Sequence, residues 1–152
     1  MAVASQIRSY TYDADLALKD AGLVAADAAA TVGGSARRIN VGDAVFKGVA
    51  VIDVTAIEVA SNDEFYRIIV QGSTSPTFAS DIENLAEITL AAAAVRPGGA
   101  KVSTTGRYEL FFVNEQDGIV YPHIRLFTDV GGTIATGINY SAFIGRDRLT
   151  HA

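Results

Sequence analysis

Cysteine and tryptophan are absent from this 152-residue chain, and proline occurs only three times. Without cysteine there is no disulfide, no thiolate nucleophile and no thiolate-bound zinc. Two histidines, His123 and His151, are too few for a multi-histidine metal site, which is therefore not expected. Positive charge is scarce as well: 12 Lys and Arg stand against 17 Asp and Glu, a net charge of −5. The close basic pairs are Arg37–Arg38 and Arg146/Arg148, too few to neutralise a phosphate backbone, and no nucleic-acid partner is expected. No apolar run reaches the length of about 18 residues that a membrane span needs. The opening "MAVASQIRSYTYD" lacks the basic region and apolar core of a secretion leader, so synthesis in a cytoplasm is expected. Charged residues make up 19% of the chain and hydrophobic ones 49%. A domain so poor in charge tends to associate or to cover part of its surface.

What is present falls into two parts: an N-terminal arm or hairpin over 1–34 and a β-sandwich domain over 35–152. The arm is rich in Ala and Asp, and "YTYDADLAL" alternates like a strand, with Tyr10, Tyr12, Ala14 and Leu16 on one side. "GGS" at Gly33–Ser35 separates it from the body. An independent arm implies that a chain lacking 1–34 still folds.

The body reads as short-spaced strands. "RRINVG" opens it. "VAVIDVTAIEVA" puts Ala50, Ile52, Val54 and Ala56 on one face, with a slip of phase near Ile57 that a bulge would produce. "EFYRIIVQGS" aligns Tyr66, Ile68 and Val70. "TSPTFASDIENLA" reads as a polar loop, and "EITLAAAAV" as a strand because of Ile88 and Thr89. "GRYELFFVN" sets Tyr108, Leu110 and Phe112 against Glu109, and "YPHIRLFTDV" sets Ile124 and Leu126 against His123 and Arg125. After "GGT", "ATGINYSAFIG" aligns Ile138, Tyr140, Ala142 and Ile144, which reads as the closing half of a hairpin. About eight strands with some long connections predict an all-β fold, a jelly roll or related Greek-key sandwich.

Catalytic patterns are weak. "GGTIATG" lacks the lysine and Ser/Thr of a phosphate loop, and a turn is the better reading. Asp53, Glu58, Asp63 and Glu64 are the densest acids. Asp53 and Glu58 point to opposite faces of a regular strand, and share one only if the strand is bulged. "TYDAD" and "SND" match no calcium loop. "GGSAR" falls short of a nucleophile elbow because Arg37 replaces the second glycine. No catalytic residue is predicted. The aromatics say more: Phe111 neighbours Phe112 in one strand and must face the other way, and Phe127 and Phe143 stand in the same relation to Leu126 and Ile144. Outward rings anchor protein contacts unless a loop covers them.

The ordered set "INVG", "VAVIDVTAIE", "FYRIIVQGSTSPTFAS", "GRYELFFVNEQDG" and "YPHIRLFTDVGGTIATGINYSAFI" resembles the small capsid cement proteins of tailed bacteriophages, the Bordetella-phage type, over roughly residues 37–147. The resemblance implies a decoration protein that sits on the outer capsid of the virion as a dimer or trimer and clamps neighbouring major capsid protein subunits, without cofactor or catalysis. Candidate contacts are Tyr10, Tyr12, Leu16 and Leu18 of the arm and outward Phe111, with Arg37, Arg38 and Arg125 as partners for acidic groups. The alternatives are a tail or baseplate component and a carbohydrate-binding sandwich, the latter disfavoured by the lack of tryptophan platforms.

Overall fold

The computed structural model describes residues 10–96, 98 and 101–145; Arg146, Arg148 and His151 lie outside them. In chain order the strands are β1 (Ala17–Lys19), β2 (Leu23–Val24), β3 (Ala28–Ala29), β4 (Thr31–Val32), β5 (Ser35–Ala36), β6 (Ile39–Asn40) and β7 (Lys47–Ile57). They continue with β8 (Phe65–Ser73), β9 (Ile82–Ala91), β10 (Gly106–Val113), β11 (Glu115–Gln116), β12 (Ile119–Val120), β13 (His123–Gly131) and β14 (Ile138–Gly145). Two five-stranded antiparallel sheets pack as a sandwich. The first runs β1-β14-β7-β10 with β2 also on β14, and the second runs β3-β13-β8-β9 with β6 also on β13. The all-β sandwich is therefore as expected, with ten strands in its sheets rather than about eight.

Alternation places the core where it was expected. Ala50, Ile52 and Val54 of β7 and Ile138, Tyr140, Ala142 and Ile144 of β14 meet Tyr66, Ile68 and Val70 of β8 and Ile124 and Leu126 of β13. Each large apolar side chain so buried contributes about 1.5–3 kcal/mol. Tyr140 shares a hydrogen bond with Thr128 across the two sheets. Tyr66 donates from its hydroxyl to the Glu58 carbonyl at 2.8 Å. Burial pushes both phenols up to about 12. A phase slip is present but at Thr55 rather than near Ile57: Val54 faces Tyr140 while Ala56 faces Asn139, so Thr55 is the extra residue of a bulge and Ala56 is exposed instead of joining the core.

Four expectations need correction. First, the segment over 1–34 is, from residue 10 onward, part of the sandwich, since β1 and β2 belong to the first sheet and β3 to the second. Asp13 caps a single 3-10 turn at Ala14–Leu16, accepting the Asp15 amide at 2.9 Å. That turn breaks the apparent strand alternation and drives Leu18 into the core, where it is fully buried. Second, Leu18 cannot be a surface contact for that reason. Third, β13 and β14 are not a hairpin: β13 pairs with β8 and β14 with β7, so residues 132–137 arch from one sheet to the other. Fourth, β9 begins at Ile82 inside the stretch read as a loop, with a bulge at Leu85 that absorbs its irregular pattern.

Candidate interaction surface

The densest acids hold the chain's own connections. Glu58, directly after β7, accepts the Ala135 amide at 2.8 Å and the Thr136 and Gly137 amides at 3.0 and 3.2 Å. These amides, that of Ala135 foremost, hold its carboxyl below the usual range. The run "GGTIATG" thus does carry an anion-binding row of amides, and the anion is a side chain of the same molecule. Asp63 accepts the Thr133 amide at 3.0 Å and the Thr133 hydroxyl at 2.8 Å, which lower its pKa in turn. The arch runs against the 63–64 backbone so closely that a Cβ on Gly132, at φ +93°, would sit 2.2 Å from the Asp63 carbonyl oxygen. Glu64 is fully buried and accepts the Ser61 amide at 2.6 Å. Asp53 takes a two-pronged contact from Arg107, at 2.7 and 2.9 Å, on the outer face of the first sheet. The bulge therefore does not assemble Asp53 and Glu58 into a facing pair: one binds a neighbouring strand and the other caps the arch. His123, half-buried, faces Ser73 and Asn40 across the second sheet.

The arm candidates divide. Leu16 is half-buried against the core. Tyr10 packs on Val49, Val51 and Phe143 of the first sheet's outer face. Tyr12 stands edge-to-face on Phe143 with centroids 5.4 Å apart and remains 62% exposed. The outward Phe143 is thus covered by the chain's own N-terminal segment. Arg37 donates to the carbonyl oxygens of Ala17 at 2.7 Å, Asp15 at 2.7 Å and Ala14 at 3.1 Å, which ties the segment down and makes this side chain a clasp. Lys19 serves the same end, a signal the sequence did not offer. Its ammonium donates to the carbonyls of Asp20, Gly22 and Tyr140 over the Tyr140 ring, and burial brings its pKa down to about 8.

Four candidates stay on the surface. Arg38 is exposed. Arg125, half-buried, donates to Gln71 at 2.8 Å and lies 4.5 Å over the Phe78 ring and 5.6 Å from that of Phe127. Burial, and then the nearby Arg38 charge, lowers its pKa. Tyr12 projects from the first sheet's outer face, and Phe111, 53% exposed, from β10. Near the end of β10 the exposed Val45 and Ile119 join it in the segments that Asn114 knots together. Asn114 receives the Phe46 amide at 2.6 Å and donates to the carbonyls of Ala44 and Tyr121 at 3.2 Å each. Val45 and Ile119 lie outside the long strands, where no periodicity marks them.

Among the described residues no group of three or more His, Asp or Glu side chains is placed to hold a metal ion, and no helix is long and apolar enough to cross a membrane. The chain matches no protein-family model, and no curated protein matches it either.

Proposed function

We propose that this chain is a structural virion protein that binds the outer surface of a bacteriophage capsid as a homo-oligomer and braces contacts between major capsid protein subunits. The sandwich would then be the jelly-roll or related Greek-key fold of capsid cement proteins, which the sequence resembles. The observation that carries the reading is the exposure of Val45, Phe111 and Ile119 at one end of the sandwich. Exposed large apolar side chains are common anchors of protein contacts. Many copies with contacts of ordinary strength would reinforce a shell through multivalency.

The revised contact set follows from accessibility. Tyr12, Phe111, Arg38 and Arg125 keep a contact role, with Val45 and Ile119 added. Leu18 and Arg37 serve the fold, and Tyr10 and Leu16 serve it in part. Co-sedimentation of the purified chain with capsids stripped of it tests the reading: wild type should saturate the shells, and Phe111→Asp should bind at least tenfold more weakly, about 1.4 kcal/mol, with an unchanged melting temperature. Equal occupancy by both proteins would overturn this contact surface, and failure of wild type to bind would overturn the function.

A further inference from the structure

The outer face of the first sheet carries a cleft of about 400 Å3 between the N-terminal segment and strands β7, β10 and β14, with Tyr12, Asp53, Arg107, Ser141 and Phe143 among its walls. We propose that this cleft is a binding subsite for a neutral sugar.

Three features point to that ligand class. Tyr12 meets Phe143 in a T-shaped contact, with 79° between the ring planes, and most of its side chain remains exposed on a supported footing. Such a platform suits the apolar C–H face of a pyranose. Beside it, Asp53 and Arg107 form a planar pair that uses only part of its bonding capacity. A guanidinium has five N–H donors and a carboxylate about four lone-pair sites, and the pair itself takes two of each. An edge offering donors and acceptors side by side fits the vicinal hydroxyls of a sugar, and Ser141 on the adjoining strand adds a hydroxyl.

Charge narrows the choice. Arg107 is matched by Asp53, and on the opposite wall Lys19, its ammonium bound by three carbonyls, stands beside Asp20. Two cations against two carboxylates leave the lining neutral. An anionic ligand would meet Asp53, and a metal ion would find that carboxylate already engaged by a guanidinium. The cleft is open to solvent, so weak binding by each copy is expected. The site does not depend on the capsid reading, although display on a multivalent particle would raise its avidity.

Saturation-transfer NMR on the full chain tests it with glucose, galactose, mannose and N-acetylglucosamine at millimolar concentration, with sulfated heparin as the charged control. At least one neutral sugar should receive saturation at its ring C–H protons, insensitive to salt. Tyr12→Phe should retain the effect, and Tyr12→Ala should weaken it by about tenfold or more. Ser141→Ala, which leaves the Tyr12–Phe143 contact in place, should also weaken it and guards against a folding defect in Tyr12→Ala. No transfer to any of the four sugars, transfer to heparin alone, or equal binding by wild type, Tyr12→Ala and Ser141→Ala would each overturn the proposal.

Discussion

At the scale of single residues, Glu58 shows how a glycine-rich run can hold an anion without being a ligand site. Its carboxylate occupies the amides of residues 135–137, and Asp63 holds Thr133 beside it, so two acids secure one arch. Amide donors favour the ionised form. Both groups therefore ionise at lower pH in the folded chain than at their ordinary values of 4.5 and 3.8. Their contribution to stability is complete above those ordinary values and fades as the pH falls through the folded-state pKa values. A series of urea midpoints should fall below about pH 4.5, and in Glu58→Gln that acid limb should be shallower. Parallel acid limbs in the two proteins would show that Glu58 is not among the groups responsible.

At the scale of elements, the N-terminal segment is the point on which sequence and structure diverge. Leu18 fills the space between the sheets, and Arg37 and Lys19 fasten the backbone around it. Leu18→Ala should cost about 2–5 kcal/mol, read from the urea midpoint with an unchanged slope. A loss under about 1 kcal/mol would mean that the segment is only loosely laid on the body. Removal of 1–34 takes away β1 to β4, three of which belong to the two main sheets. The remaining chain should lack a cooperative unfolding transition by circular dichroism; a truncated protein with a sharp transition would restore the idea of a separable arm.

The elements that were legible in the sequence are those with long, unbroken alternation. Tyr66, Ile68 and Val70, or Ile138, Tyr140 and Ala142, can bury one face in only one phase. Even the bulge at Thr55 announced itself as a slipped phase. The arch over 132–137 did not, because glycines with positive φ serve a hairpin and a sheet-to-sheet crossing equally well. Only the long-range pairing of β13 with β8 and of β14 with β7 decides between them. The start of β9 was hidden by Asp81, Glu83 and Asn84, residues of low strand propensity that an edge strand tolerates. The surface was half legible. Outward Phe111 followed from its neighbour Phe112, whereas Phe143 faces outward and is buried nonetheless, since no period in the sequence tells that Tyr10 and Tyr12 fold back over it.

At the scale of the whole molecule, this is a sandwich in which Glu58, Asp63 and Glu64 hold connections and in which Val45, Phe111 and Ile119 are exposed. Low charge and outward rings fit a protein whose working state is an assembly. The most direct measurement is a reconstruction by electron microscopy of intact particles that contain this chain. The account predicts copies of the sandwich on the outside of the shell, over seams between major capsid protein subunits, with the end bearing Val45, Phe111 and Ile119 against them. Density for the chain in the tail or baseplate, or inside the shell and away from the seams, would contradict it.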